Sequence, residues 1–485
     1  MTNLIPLLAY MALMAAISFY VRKLQRDGSF LESYFVGSRQ LGGFVLAMTT
    51  VATYSSVSSF VGGPGMAFEV GFGWLYMAVV QVTAVFLVLG IFGKRVALLA
   101  RKFNAVTVVD ILRARYKSEL LAGFAALAIV LFFSGTMTAQ FVGGAKLFAA
   151  VTGYSYETGL LLFGLVVVAY TSIGGFRAVA ITDTCCAVMM MTGIVILLHY
   201  VLQAGGGVEA ILGKLSVERP EMFEPFSGGK MPWTLYLTQW LLVGVCTIGL
   251  PQSVVRGISY KDTAGMKQAI IIGTVVIGFM NIGINFVGIL AHGVLTGDAA
   301  ANGGVDNVIP SAIAAAVPEN LIGLAVIGPL AASISTISGL LIVASSAVVK
   351  DIYVHFNTSR GRTVKQDSMK RLSMLTTAAM GTIVFIVALT PPSLIWLINM
   401  FAFGGLETAF FWTLLLGLYW KGANRLGAEL SMIGGTVTYC ATQALGFKLF
   451  DFHQITIGIT VSLLLFLIGS HFGKPSDEQT LKDFF

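Results

Sequence analysis

Charge is scarce in this chain. Asp, Glu, Lys and Arg make up 11% of its 485 residues, against roughly 25% in a soluble domain. Histidine is limited to five residues and cysteine to four, and neither type falls into metal-ligand spacing. No coherent set for a metalloenzyme is present. Cys185 and Cys186 are neighbours and read as small helix-packing residues rather than a disulfide. The formal charge of +7 does not point to nucleic acid, because the basic residues sit in short loops between apolar runs.

What fills the chain is hydrocarbon. Hydrophobic residues make up 56% and the mean hydropathy is +0.85. Apolar segments of roughly 17–25 residues, each long enough to cross a bilayer, recur from end to end. The first, Leu4–Tyr20, lacks a basic leader and a cleavage site and reads as a span rather than a signal peptide. The prediction is one all-α polytopic domain over 1–485 with thirteen transmembrane helices. They run at about 3–21, 41–62, 71–92, 120–149, 157–173, 179–202, 232–254, 268–292, 320–347, 373–390, 394–418, 425–446 and 455–471. The lipid bilayer is then the solvent, and no obligate protein partner is evident.

Orientation follows from the basic residues. Of the 30 Lys and Arg, only Lys146, Lys214, Arg219, Lys230 and Lys448 fall on one side of this map. The other side, which includes Arg22, Arg26, Arg39, Arg177 and Arg256, is therefore cytoplasmic. The amino terminus is placed outside and the carboxyl terminus inside. Two outer loops, about 203–231 and 293–318, read as connections or as lids.

One span is chemically odd. Residues 47–65 hold Thr49, Thr50, Thr53, Ser55, Ser56, Ser58 and Ser59, then Gly62, Gly63, Pro64 and Gly65. An unpaired backbone group in hydrocarbon costs several kcal/mol, so helix breakers at membrane depth are tolerated where protein surrounds them or a cavity is lined. This pattern points to a transporter. A second odd stretch, Ile322–Gly339, carries Pro329 and the hydroxyls of Ser333, Ser335, Thr336 and Ser338. A hard cation such as sodium takes several oxygens, which freed carbonyls and facing hydroxyls supply without fixed charge. The same hydroxyls can instead bond their own i−4 carbonyls, and spacing alone does not bring the two stretches together.

Two carboxylates fall within spans. Asp183 lies near a cytoplasmic end, where it suits either a functional role or a helix N-cap. Glu407 lies deep and suits proton carriage, substrate contact or, as the first choice, structural support.

On its motifs the chain resembles the sodium:solute symporter family over nearly its whole length. The carriers of the resemblance are Tyr34–Arg39 (YFVGSR), Tyr170–Asp183 (YTSIGGFRAVAITD), Pro251–Arg256 (PQSVVR), Ala332–Thr336 (ASIST) and Gly417–Ala428 (GLYWKGANRLGA). Leu46–Thr49, Ala52–Tyr54, Ser58–Gly65, Tyr116, Ile258–Asp262 and Phe403–Glu407 resemble its pantothenate-carrying branch. The resemblance implies a leucine-transporter-type five-plus-five inverted repeat. One helix would precede it (1–40, with a cytoplasmic loop), the core would cover about 41–418, and two helices with a short tail would follow (419–485).

It also implies sodium-coupled uptake of pantothenate across a bacterial inner membrane, with sodium as coupling ion and no cofactor. The implied sodium ligands are the carbonyls of Ala52, Ser55 and Ala332 and the side chains of Ser335 and Thr336. Arg39 and Ser56 would bear on sodium coupling, and Asp183 on coupling or a second ion. Departures from the family are Tyr54 in place of the aspartate of proline carriers, Ser59 in place of the glutamine of sugar carriers, and Cys186 in place of the usual glutamine. Proline and sugar are therefore poor fits.

Pantothenate is a hydroxylated amide with one carboxylate. Its pocket candidates are Ser58, Ser59, Gln140, Thr247 and Pro251, the last at the break of the sixth core helix; Gln140 stands out as an amide within a long span, which suits a helix–helix hydrogen bond equally well. No Lys or Arg falls at mid-membrane, so the carboxylate is expected at a half-helix N-terminus or beside sodium. A channel would need a repeated carbonyl or charged-ring motif, and an enzyme a catalytic set; neither is found. A sodium- or proton-coupled carrier of another small organic anion is the remaining alternative.

Overall fold

The computed structural model describes residues 4–24, 30–390 and 395–485; Arg26, one of the residues counted for orientation, lies outside them. Among the described residues, nine helices are long and apolar enough to cross a membrane, or eleven if each of two bent pairs is one span. In chain order the elements are α1 (Leu4–Leu24), the first bent pair α2 (Gly43–Tyr54) and α3 (Ser58–Val70), α4 (Phe72–Lys102), α5 (Glu119–Thr152) and α6 (Tyr156–Ala204). Then come the second bent pair α7 (Trp233–Gly249) and α8 (Pro251–Ser259), α9 (Thr263–Gly293), α10 (Glu319–Ser359), α11 (Gln366–Ala388) and α12 (Leu397–Tyr419). The chain closes with α13 (425–444), α14 (Gln454–Phe472) and the short α15 (Glu478–Phe484).

The count differs from thirteen for physical reasons. Two expected spans form one helical run of 49 residues in α6, interrupted at Gly175 with φ 65° and ψ −174°. Only glycine adopts that conformation cheaply. α13 is helical as expected, but Arg425, Glu429 and its Ser and Thr residues keep it out of the apolar set.

α10 sits at the centre, enclosed throughout its most apolar stretch, and packs on α5 and α6. Lipid gives no hydrophobic drive for helices to associate, so close packing of small residues takes over. Gly288 of α9 shows it: a Cβ there would press into the backbone of Pro64 in α3. The broken span is thus clamped by a helix that can approach it only as glycine.

The two long connections, about 203–231 and 293–318, both approach the carboxyl-terminal end of α3. The Glu69 carboxylate accepts from the Ala299 N–H at 3.0 Å and lies 3.4 Å from Lys230. Ser227 donates to the Val70 carbonyl at 2.5 Å, and the Phe68 ring stacks on His292. On the opposite face α15 binds the loops of α4 and α5. Lys102 meets Asp483 at 2.7 Å and Lys117 meets Asp477 at 2.8 Å. Hydrogen bonds from Lys117 and from Thr480 hold the Asp477 carboxyl below the ordinary carboxylate range.

Candidate functional site

The break between α2 and α3 bends the span by 66°. Ser55 leaves the helix at φ −93° and ψ 98°, which turns its carbonyl out of the helical ladder and leaves N–H groups beyond it needing acceptors. Gln140 of α5 supplies one: its Oε1 accepts from the Val57 N–H at 2.8 Å. Its own carbonyl accepts from Ser333 of α10 at 2.7 Å. Gln140 therefore ties the break to the central helix and does not line the cavity described below. Q140A is expected to destabilise the protein by about 1–3 kcal/mol, the cost of an orphaned buried donor. A fall in melting temperature of several degrees in a thermal-shift assay checks it; no shift sinks this role.

Opposite the break lie the hydroxyls of α10. Ser335 Oγ donates to the Ala52 carbonyl at 3.1 Å and to Ala332 O at 3.2 Å, and Thr336 Oγ1 donates to Ala332 O at 2.9 Å. Ala52, Ala332, Ser335 and Thr336 are all buried. So four of the five oxygen sources that the family resemblance implied share one hydrogen-bonded cluster, and Ser55 lies on the break three residues after Ala52. Each hydroxyl has one proton and two lone pairs, so with the protons rotated aside Ser335 offers a neutral oxygen beside the Ala52 and Ala332 carbonyls, and Thr336 another beside Ala332. Such a set suits a hard monovalent cation.

Below this cluster sits a second one. Thr49 Oγ1 donates to Asp183 Oδ2 at 2.6 Å, and Arg256 Nη2 lies 3.5 Å from the same oxygen. Both charged side chains are fully buried. Arg256 also donates through Nε to the Thr49 carbonyl at 3.2 Å, through Nη1 to Gln252 O at 2.9 Å, and through Nη2 to Thr53 Oγ1. The guanidinium thus joins α2, α6 and α8. Arg39 is not part of either cluster; it pairs with Glu32 at 3.1 Å and donates to the Ala105 carbonyl at 3.2 Å.

Above the break is a cavity of about 80 Å³, room for several waters. Ser56, Ser58 and Ser59 line it, as do Tyr54, Trp74, Gln81, Gln239, Asn281, Asn285, Asn399 and Phe403. Sequence reasoning found the serines and missed the carboxamides, which belong to α4, α7, α9 and α12. Their signal was amides within apolar spans, the same signal that had singled out Gln140. Part of the wall is satisfied internally: Trp74 Nε1 donates to Asn285 Oδ1 at 3.1 Å, Asn285 to Asn281 Oδ1 at 3.0 Å, and Asn281 to the Ala78 carbonyl at 2.6 Å. Two groups are not. Ser58 Oγ and Asn399 Oδ1 have no hydrogen-bond partner, although their residues are only 7% and 5% exposed.

The second broken pair, α7 and α8, bends by 44°. Thr247 spends its hydroxyl on the Gly244 carbonyl at 2.7 Å, and Pro251 opens α8. Neither lines the cavity. Tyr54 joins the two breaks, its ring against the cavity and its hydroxyl bonded to Ser253. Glu407 lies two turns along α12 from Asn399, fully buried, with neither oxygen partnered.

A model of the sodium:solute symporter family matches residues 34–435. The chain is 40% identical over 479 residues to the sodium/pantothenate symporter of Escherichia coli (strain K12), covering 99% of this chain and 98% of that protein. It is also 40% identical over 480 residues to the sodium/pantothenate symporter of Haemophilus influenzae, covering 98% of each. Among solved structures, a substrate-bound, outward-open Na+-coupled sialic acid symporter shares the fold, with a TM-score of 0.83 at 20% identity over 99% of both chains.

Proposed function

The chain belongs to the sodium:solute symporter family, and from that premise we propose that it carries pantothenate into a bacterial cell together with sodium. The observation that carries the coupling is the bond from Ser335 on the central helix across to the Ala52 carbonyl beside the helix break, with Thr336 bonded to Ala332 next to it. The substrate is supported by near-full-length similarity to two sodium/pantothenate symporters. The protein is a multi-pass inner-membrane carrier and not an enzyme. We read its topology as thirteen spans, with the amino terminus outside and the carboxyl terminus inside. The one-plus-ten-plus-two arrangement, with an inverted-repeat core over about 41–418, is part of the same proposal.

In this reading sodium binds to the carbonyls of Ala52, Ser55 and Ala332 and the side chains of Ser335 and Thr336. It joins α2 to α10 and so favours one arrangement of the broken span. Ser56 follows that arrangement, because its carbonyl accepts from the Ser59 and Phe60 N–H groups at 3.0 and 3.1 Å at the start of α3. Arg39 acts from further away, by fixing the cytoplasmic entry to α2. Ser58, Ser59 and Asn399 face the substrate, while Gln140, Thr247 and Pro251 shape the breaks around it. Opening to the inside then releases both, with no covalent step. Each sodium moving down a potential of about 100 mV contributes about 2.3 kcal/mol, offset where a monoanion travels with it.

Glu407, with both oxygens unpartnered, supports a second reading in which protons drive the same cavity. One experiment separates the two. Radiolabelled pantothenate uptake into proteoliposomes is measured under an inward sodium gradient, under equimolar potassium, and under potassium with an inward proton gradient. Accumulation with sodium alone is expected. Accumulation driven by protons without sodium overturns the coupling, and none under any gradient overturns the substrate.

A further inference from the structure

The buried carboxylate of Asp183, bonded to Thr49 three residues before Ala52, already has a cation. Its Oδ2 holds Thr49 at 2.6 Å and the Arg256 guanidinium at 3.5 Å, with neither charge exposed. Arg256 is fixed in place. Its three nitrogens are bonded to Thr49, Thr53 and Gln252, and the Phe176 ring lies 5.8 Å from Cζ. Position 339 makes the room. Gly339 lies one helical turn beyond Ser335 on α10, and a Cβ there would stand 3.3 Å from Arg256 Nη2. A hydroxyl-bearing residue at 339 would offer an ion oxygen and crowd the guanidinium; glycine does neither. Ser338, the other nearby hydroxyl of α10, donates to Ser335 O at 3.1 Å.

We propose that Arg256 is a tethered cation that takes the place of a second sodium at Asp183, so that each chain binds a single sodium ion, between α2 and α10. Asp183 Oδ1 has no hydrogen-bond partner. An ion brought to that oxygen would nevertheless share one carboxylate with a buried guanidinium, and like charges that close in a low-dielectric interior repel strongly. Resting on the sodium/pantothenate reading above, the inference has an electrical consequence. One sodium with one monoanion moves no net charge, so the cycle is electroneutral.

The test is equilibrium binding of radioactive sodium to purified, lipid-reconstituted protein, with and without pantothenate. The expected result is saturation at one ion per chain with a Hill coefficient of 1, abolished in S335A/T336A. R256Q is expected to bind two, and R256Q/D183N one again. An inside-negative potential of about 100 mV is expected to leave the initial rate of wild-type pantothenate uptake unchanged. Two ions per wild-type chain, or uptake accelerated by the potential, overturns the proposal. R256Q that still saturates at one overturns the role of the guanidinium. If R256Q fails to insert, the wild-type stoichiometry still decides. No sodium bound at all defeats this inference and the sodium reading together, whereas one ion bound without any pantothenate uptake defeats only the substrate assignment.

Discussion

In S335A/T336A, uptake is expected to fall by at least ~100-fold at a fixed sodium concentration and to lose its response to sodium. The variant removes two of the five proposed oxygens at once. A hydrogen-bonding group facing a charge contributes about 1.5–3 kcal/mol, so the pair accounts for roughly 3–6 kcal/mol of ion affinity. The Ser335 hydroxyl also bonds across to the Ala52 carbonyl at 3.1 Å, so its loss loosens α2 from α10. The remaining carbonyls have no geometry of their own to hold an ion without that contact. Uptake with and without sodium, on protein shown to be inserted, checks the result. Sodium-driven uptake at wild-type levels would remove the cluster from the mechanism.

Substrate affinity should fail separately from sodium binding. S58A/N399A is expected to raise the KM for pantothenate about 10- to 100-fold while leaving the sodium-binding curve in place. Ser58 Oγ and Asn399 Oδ1 are buried without partners in the cavity wall. A buried group left unpaired costs about 1–3 kcal/mol, recovered when a ligand satisfies it. Losing two such hydrogen bonds, at about 0.5–1.5 kcal/mol each, spans roughly 5- to 150-fold and so brackets the predicted range. The same reasoning gives stability the opposite sign. Alanine removes the orphaned atoms, so the substrate-free variant should melt no lower than wild type, as sites built for binding often trade stability for function. An unchanged KM, or a large loss of thermal stability, would make these residues structural.

Much of this was legible in the chain. Helix breakers beside seven Ser and Thr residues between 47 and 65 mark a broken span, because hydrocarbon tolerates freed backbone groups only where protein supplies partners. The bend of 66° falls there. The hydroxyls of 333–338 were legible as possible ligands but equally as local i−4 donors. In fact Thr336 Oγ1 donates to its own i−4 carbonyl, while Ser335 reaches across to Ala52. Nothing in spacing distinguishes adjacent residues that way; the rotation of α10 against α2 does.

Gln140 shows the limit most plainly. A lone amide in a long apolar helix signals a buried polar partner, and the sequence cannot name it. Its partner is the Val57 N–H, 83 residues away in the chain, so the residue holds the break instead of facing the cavity. Asn281, Asn285 and Asn399 carried the same signal and turned out to line the cavity. Arg256, counted from sequence among the basic residues of the cytoplasmic side, is fully buried on Asp183, 73 positions earlier.

By itself the sequence determined the solvent, the helical class and the position of the helix breaks, since these follow from local composition and from the cost of unpaired backbone in lipid. It also marked the two hydroxyl-rich stretches, though not that they meet. Only the tertiary structure decided which hydroxyl crosses to which carbonyl, which amides open on the cavity, and that a guanidinium already neutralises the buried carboxylate. Those outcomes depend on helix rotation and close approach between segments distant in the chain, and no local pattern encodes either.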